Sequence, residues 1–552
     1  MAIIDSIEFN ESTPNKLKDI RYGENWPVVY IIHSTKEAYV GETVNASVRS
    51  GQHFRNKDRR RLKKIHLIGD DKFNKSVILD LEHFLINYMS ADGKFVLQNG
   101  NMGMRAHNYY QREQYNKEFE EIWKQLREEG LVKNSVLDIR NSEMFKYSPY
   151  KILSQDQFNV LSSIVQLLVD DKDTKKGETI LVNGGAGTGK TVLAIYLMKA
   201  FADMNHEDLE ADFEADPGYK HVIENLKKLS KMKIGFVVPM QSLRATIRKT
   251  FKNVRNLEKN MVLGPMQASN GYYDLLIVDE AHRLKQRKAL AQYGQHDDTN
   301  KKLGLDSDGT ELDWILKCSK NQVLFYDNMQ SIRPSDIDRS RFEQLQMDIG
   351  KNVLHLNSQF RCLGGDDYIQ YIEEILSDDP PKKAKQFECY DLKMFECIED
   401  MVKAIKLKDK QIGLCRVVAG FSWKWESKKN KELKDIFIEG KSYQWNSTNK
   451  DWINSANSIN EIGCIHTVQG YDLNYVGVIF GNEIKYDKEK GRIYVDKDNY
   501  FDLQGKRALK HENSLKEYII NIYKVLLTRG IKGTYVYVCD KALREYLKKY
   551  IV

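Results

Sequence analysis

Eight consecutive residues, Gly184-Gly185-Ala186-Gly187-Thr188-Gly189-Lys190-Thr191, fit the pattern G-x-x-x-x-G-K-[ST]. The chemistry open to such a run is the holding of a nucleoside triphosphate. Its glycines let backbone N–H groups close around phosphate oxygens, and a helix that follows aims its positive end at them. Lys190 is spaced to reach the β- and γ-phosphates, and the Thr191 hydroxyl to ligate magnesium. About 90 residues further on, Asp279-Glu280-Ala281-His282 follows the apolar run 275–278. An acidic residue at the C-terminal end of a parallel strand faces the nucleotide crevice. Asp279 therefore suits magnesium binding, and Glu280 suits polarising an attacking water. ATP with Mg2+ is the expected cofactor.

A second set of reactive side chains lies near the start of the chain. Val28-Val29-Tyr30 and Tyr39-Val40-Gly41 precede Arg49 and His53, and Glu82 comes later. Arg49 and His53 are one helical turn apart, so both point to one face. A hard magnesium ion needs a carboxylate, which Glu82 supplies. Attack on a phosphodiester needs a base, for which Tyr30 and His53 are the candidates. A tyrosine ordinarily titrates near 10, so Tyr30 requires a metal or Arg49 beside it to lower that value. Arg49 is also suited to gripping the scissile phosphate. Directly after this set, residues 55–64 carry Arg55, Lys57, Arg59, Arg60, Arg61, Lys63 and Lys64. Such a run is ordinarily a solvated face; its position here points to nucleic acid.

The elements that must position these residues follow from hydrophobic patterning. Residues 28–32 and the stretch around Tyr39 read as strands, with helices from Ala46 and over 76–89. Over 111–129 the sequence is highly charged, with Phe119, Ile122, Trp123 and Leu126 at helical spacing, and reads as an amphipathic connector ended by Pro149. Beyond it, short β-branched runs alternate with helical stretches: 180–182, 234–238, 275–278, 323–326 and 353–356, then 417–420, 476–480 and 535–538. That alternation predicts parallel sheets covered by helices, in two sets dividing near residue 350. The expected fold class is α/β, with units at 1–105, 106–149, 150–350 and 351–552. Polar stretches at 203–231 and 285–312 read as insertions. At 552 residues more than one core is required.

Further motifs carry a resemblance to superfamily 1 helicases over residues 150–552. Leu153-Ser154-Gln155-Asp156-Gln157 looks like the motif in which Gln157 would read adenine. The segment 239–244, ending at Arg244, resembles the motif that grips a single-stranded backbone. Tyr326-Asp327-Asn328-Met329-Gln330 resembles the γ-phosphate sensor, with Gln330 coupling hydrolysis to movement. Gln359-Phe360-Arg361 and Thr528-Arg529-Gly530 resemble the motifs whose arginines reach the nucleotide when the domains close. His466-Thr467-Val468-Gln469-Gly470 resembles the motif linking strand contact to the ATP site. Segments 326–336, 359–367 and 419–425 look most like a bacterial branch related to the helicase part of Schlafen proteins. Tyr326 stands where glycine is usual, and Gly530 where alanine is usual.

Residues 22–103 resemble GIY-YIG nucleases, with Val28 and Val29 replacing glycine and isoleucine. That resemblance implies catalytic positions at Tyr30, Tyr39, Arg49, His53 and Glu82, with Asn99 or Asn101 as the downstream asparagine. The implied fold is a small GIY-YIG-type α/β nuclease domain joined to two RecA-like parallel-sheet domains. The implied function is an ATP-dependent nucleic-acid motor coupled to a magnesium-dependent endonuclease, cutting foreign DNA in bacterial defence, with DNA preferred to RNA as partner. Two other readings are an ATP-gated clamp that does not translocate, and a motor whose small domain binds without cutting.

Composition sets the outer bounds. The net charge of +7 comes from 85 basic and 78 acidic residues, a mild bias toward a polyanionic partner. No apolar run approaches bilayer-spanning length, and the first ten residues lack a secretory pattern. The seven cysteines include no C-x-x-C pair, so reduced thiols and a cytoplasmic setting are expected rather than a metal site.

Overall fold

The computed structural model describes residues 2–551, apart from 101–108, 173, 175, 186, 208, 210–216, 289, 291, 328, 329, 331–334, 360, 361, 449–451, 469, 470 and 503–511; side chains 512–514 are also outside the description. Ala186, Arg361 and Asn101, and with them Asn328, Met329, Phe360, Gln469 and Gly470 of the quoted motifs, fall outside the described residues.

The N-terminal unit is built on strands β1 (Ile3–Glu8), β2 (Val28–His33), β3 (Glu37–Thr43), β4 (Lys64–Gly69) and β5 (Val96–Leu97), in the order β1-β4-β2-β3-β5. Only the β3–β5 pair is parallel. Strand β2 is apolar on both faces because both are covered. Val29 and Ile31 pack toward helix α3 (Lys75–Asp92), while Val28, Tyr30 and Ile32 face a second core holding Leu17 and Ala46, from α1 (Thr13–Lys18) and α2 (Ala46–Arg55). Asn45 starts α2 by accepting from the Val48 N–H, and Asn74 starts α3 in the same way from Val77.

The connector helix α4 (Arg112–Glu128) buries Phe119, Ile122, Trp123 and Leu126, as its spacing predicts. Trp123 meets Phe84 and Tyr88 of α3 edge-on. The helix ends at Glu128 rather than at Pro149; two short helices, α5 (Val136–Arg140) and α6 (Glu143–Lys146), fill the interval.

The first parallel sheet runs β11-β6-β10-β9-β7-β8, from β6 (Thr179–Gly184), β7 (Ile234–Val237), β8 (Val262–Leu263), β9 (Tyr273–Val278), β10 (Ser319–Tyr326) and β11 (Val353–Leu356). Because β11 pairs with β6, the boundary expected at 350 falls beyond Leu356. The stretch 203–231 is also more than an insertion. It holds helix Pro217–Lys227, whose Tyr219 packs on Phe158 of α7 (Gln155–Asp170). The stretch 285–312 holds helix Tyr293–Leu303.

The second parallel sheet runs β12-β20-β17-β13-β16, from β12 (Asp391–Met394), β13 (Cys415–Ala419), β16 (Ile462–Cys464), β17 (Leu473–Phe480) and β20 (Gly530–Val538). Hairpins β14 (Ile436–Ile438) with β15 (Lys441–Tyr443), and β18 (Ile484–Asp487) with β19 (Arg492–Val495), decorate it. One continuous core joins the N-terminal unit, the connector and the first parallel-sheet domain, so the first three expected units share their packing; the second sheet has a core of its own. Among the described residues no helix is long and apolar enough to cross a membrane. The seven cysteines are free thiols.

Candidate functional site

Strand order brings the triphosphate-binding residues together. In the first sheet β10 lies between β6 and β9, so Gly184, Asp279 and Asp327 emerge at neighbouring C-terminal strand ends. Gly187 and Gly189 take positive φ (+85° and +78°), which opens the loop ahead of α8 (Lys190–Asn205). Thr188 closes the turn by donating to the Gly185 carbonyl at 3.1 Å. The Lys190 ammonium donates to the carbonyls of Gly184 (2.7 Å) and Gly185 (2.8 Å) and to Asp327 Oδ2 (3.0 Å). It thus lies folded over the place where phosphate oxygens would sit.

Asp279 is fully buried, and among the described residues neither of its carboxylate oxygens has a hydrogen-bond partner. Burial, and then the charge of Glu280, push its carboxyl well above the ordinary range, against the opposing influence of Thr191 and Lys190. A buried orphan carboxylate beside a threonine hydroxyl at a nucleotide loop fits a divalent cation carried with ATP. Glu280 stands in the left-handed region (φ +53°), a conformation that side chains other than glycine rarely adopt. Burial works against its charge, but His282 Nε2 at 2.8 Å from Oε2, together with Lys190 and Arg283, holds its pKa below the usual carboxylate range. It is therefore ionised.

Gln157 does not reach out toward a base. Its amide nitrogen donates to the Thr188 carbonyl (3.1 Å), and its oxygen accepts from Ser154 N–H (3.0 Å) in the capping box of α7. It ties the loop to the first turn of α7. Arg244 donates to the Val238 carbonyl at 2.9 Å, and Thr467 to that of Cys464 at 2.8 Å.

Sequence reasoning assigned no role to Asp327. Burial raises its carboxyl, but Lys190, His282 and the Gln330 amide outweigh that and hold it low. Gln330 Nε2 donates to Asp327 Oδ2 at 2.6 Å, and Arg529 Nη2 donates to Gln330 Oε1 at 3.3 Å. Lys190, Asp327, Gln330 and Arg529 therefore form one chain of contacts across the two parallel-sheet domains. Arg529, expected to arrive on domain closure, is already 1% exposed and also donates to the Tyr471 carbonyl. The two departures from the usual helicase pattern are accommodated by local packing. Tyr326 stacks on Phe342 at 4.3 Å inside the first domain. A Cβ at Gly530 would come within 2.2 Å of the Gly533 carbonyl oxygen.

In the N-terminal unit the expected residues also converge. The antiparallel register sets Tyr30 opposite Gly41 and Ile32 opposite Tyr39, putting both tyrosines on one face. A Cβ at Gly41 would lie 2.3 Å from the Tyr30 hydroxyl, so this position must lack one. The Tyr30 hydroxyl is 2.6 Å from His53 Nε2, and Tyr39 and His53 have ring centroids 4.9 Å apart. Burial, then Tyr39, push the Tyr30 phenol well above its ordinary value; Arg49 opposes this, and Glu82, on α3, adds to it. Arg49 thus acts on Tyr30 in the direction a base requires, and burial outweighs it. Burial, then Arg59 and Arg49, pull His53 down to about 2, so its imidazole is neutral. Asn99 is buried with its amide held by strand β3: it accepts from Val40 N–H (3.0 Å) and donates to Val40 C=O (2.8 Å). It positions a strand and has one lone pair and one N–H left for any other partner. Among the described residues no cluster of three or more His, Cys, Asp or Glu side chains could hold a metal. A lone carboxylate at Glu82 still fits magnesium, which takes one or two carboxylates and completes its shell with water and substrate phosphate.

Residues 177–540 match the family described as Schlafen group 3, DNA/RNA helicase domain. The match spans about two thirds of the chain, which belongs to that family. The uncharacterized protein YPL245W of Saccharomyces cerevisiae is 26% identical over 470 residues, covering 74% of this chain and 96% of its own. Two solved structures show a weaker likeness. A Pif1 helicase from Bacteroides in complex with ADP-AlF3 and single-stranded DNA has 10% identity, covers 73% of this chain and 95% of its own, and gives a TM-score of 0.26. The arterivirus nonstructural protein 10 helicase has 10% identity, covers 69% and 61%, and gives a TM-score of 0.23.

Proposed function

We propose that this member of the Schlafen group 3 helicase family hydrolyses ATP to move on nucleic acid, and that its N-terminal unit is a magnesium-dependent endonuclease acting on the same molecule. The contact chain from Lys190 through Asp327 and Gln330 to Arg529 supports the motor. A side chain that senses the γ-phosphate in one domain bears directly on a cation from the other. Negative charge grows on the γ-phosphoryl oxygens as the terminal bond breaks, so Lys190 and Arg529 are drawn toward them and away from Asp327 and Gln330. Hydrolysis and domain movement are coupled through that exchange. Magnesium, when bound with ATP, neutralises phosphate charge; Asp279 and Thr191 would hold it, and Glu280 would orient the attacking water.

The Tyr30–His53 contact over Gly41, with Arg49 and Glu82 beside it, supports the nuclease. Arg49 would grip the scissile phosphate, and Glu82 would carry the metal. DNA is the proposed substrate, and invading DNA the proposed setting, on the resemblance of such fusions to bacterial defence proteins. The test is incubation with labelled single- and double-stranded DNA and RNA, with magnesium, with and without ATP, beside Glu82→Ala and Lys190→Ala. Cleavage by the parent chain that Glu82→Ala abolishes is expected; equal cleavage by both removes the nuclease assignment.

One observation favours a second reading, an ATP-gated clamp. Arg529 is buried and docked on Gln330 across the two parallel-sheet domains, a closed arrangement of the kind a clamp holds. ATP turnover that nucleic acid fails to stimulate would select the clamp over the motor.

A further inference from the structure

Arg59 separates from the basic run that contains it. Arg55, Lys57, Arg60, Arg61, Lys63 and Lys64 are exposed, whereas Arg59 is half-buried. The Asn56 side chain accepts from the N–H groups of Asp58 and Arg59, starting a single helical turn that aims the Arg59 side chain back over α2. There its guanidinium lies 4.0 Å from the centroid of the Tyr39 ring, a cation–π contact. From that platform its Nη1 reaches His53 Nδ1 at 2.9 Å. The far side of the same imidazole, Nε2, is the atom 2.6 Å from the Tyr30 hydroxyl.

Donor counting decides what this arrangement does. A guanidinium has N–H donors and no acceptor, and a neutral imidazole has one N–H and one lone pair. Facing Arg59, Nδ1 must present its lone pair. The imidazole proton is then on Nε2, and His53 donates to the Tyr30 oxygen. We propose that Arg59 is a positioning residue of the N-terminal site, holding His53 in the Nε2–H form so that the phenol oxygen of Tyr30 accepts from the imidazole and turns its own proton toward the substrate side. This rests on the endonuclease reading above and gives it a direction. Of the two candidate bases, His53 has no free nitrogen lone pair in this state, because one nitrogen carries the proton and the other faces Arg59. Arg49, whose guanidinium also favours negative charge on Tyr30, makes the phenol oxygen the focus of two cationic or N–H groups. Tyr39, the second tyrosine of the pair, gains a physical task as the surface that carries Arg59.

The test compares the full-length parent with Arg59→Lys, which keeps a donor-only cation, and Arg59→Glu, which offers an acceptor to Nδ1. Ring-15N histidine labelling reports the tautomer, with the His53 signal identified by its loss in His53→Asn. DNA cleavage with magnesium is followed on the same samples, and ATP turnover checks that each variant is folded. The expected result is Nε2–H in the parent and in Arg59→Lys, and Nδ1–H in Arg59→Glu. Cleavage should be within about tenfold of the parent in Arg59→Lys and lost by about 100-fold in Arg59→Glu, the scale of a misplaced acid–base group. A parent already in the Nδ1–H form, or an Arg59→Glu chain that keeps Nε2–H, overturns the proposal. So does a switched tautomer with undiminished cleavage. If the parent cuts nothing, the endonuclease reading falls, while the 15N spectra still decide whether Arg59 sets the tautomer.

Discussion

Arg529 and Gln330 meet across the boundary between the two parallel-sheet domains, the Arg529 guanidinium donating to the Gln330 amide oxygen at 3.3 Å. The same glutamine donates from its nitrogen to Asp327, which holds Lys190 of the nucleotide loop. An amide with one end in each domain reports the position of either to the other. Substituting Gln330→Ala should therefore slow ATP turnover by about 100–1,000-fold, the usual scale of a transition-state contact, and also reduce its stimulation by nucleic acid. Arg529→Lys should be far worse than its retained charge suggests, because lysine lacks the planar fork that touches Gln330 and the Tyr471 carbonyl together. Steady-state turnover with and without single-stranded DNA checks both, and a Gln330→Ala chain with full stimulation would count against the coupling.

Lys190→Ala should abolish hydrolysis, a loss of about 10³-fold or more if the ammonium meets the γ-phosphate as proposed. Asp279→Asn should retain nucleotide binding but raise the magnesium concentration needed for turnover. Near-normal turnover in Lys190→Ala would remove the site assignment.

Gly41→Ala offers a separation of the two proposed activities. Its Cβ would stand 2.3 Å from the Tyr30 hydroxyl, displacing the phenol from His53 at an overpacking cost of about 1–3 kcal/mol. Cleavage should be lost while ATP turnover stays at the parent level. Cleavage that survives in Gly41→Ala would show that Tyr30 is not at the reacting centre.

Acid should loosen the N-terminal unit before the second parallel-sheet domain. His53 and His66 are each 1% exposed, and burial lowers them to about 2 and about 4 from 6.5. Below pH 6.5 the unfolded chain takes up protons that these folded sites refuse. The stability they contribute is complete above 6.5 and is lost as pH falls toward 4 for His66 and 2 for His53. Each contributes at most about 1.4 kcal/mol per pH unit over its window. Hydrogen exchange, corrected for intrinsic rates, should show β2–β4 losing protection between pH 6.5 and 4.5 ahead of β13, β17 and β20. Parallel loss in both regions would contradict this.

Asn141, in the turn between α5 and α6, donates to the Ile412 carbonyl and accepts from Asn474, while Lys146 donates to the Asp472 carbonyl. Next along that strand, Leu473 donates its N–H to the Arg529 carbonyl. The connector thus touches the segment 472–474, whose Leu473 is hydrogen-bonded to the backbone of the inter-domain arginine. Asn141→Ala should leave basal ATP turnover near the parent value and weaken any ATP dependence of cleavage. An unchanged ATP dependence would show that the connector is only a spacer.

The sequence by itself determined what is local. The order of glycines and Lys190 specifies a phosphate loop, because backbone conformation and reach are set within eight residues. The four-residue step from Arg49 to His53 specifies a shared helix face, and the spacing of Phe119, Ile122, Trp123 and Leu126 specifies the buried stripe of α4. Only the tertiary structure decided what depends on distant partners. Gln330 and Arg529 are 199 positions apart, and Lys190 and Asp327 are 137 apart, so no spacing rule could pair them. Strand β11 was legible as a strand, but its pairing with β6, which moves the domain boundary past Leu356, is a property of sheet order. Gln157 and Asn99 were visible as amides, yet their hydrogen bonds are committed to the loop and to strand β3 by neighbours 31 and 59 positions away. Arg59 looked like one cation among seven. A capped turn and an aromatic platform from another strand single it out, and these exist only once the chain has folded.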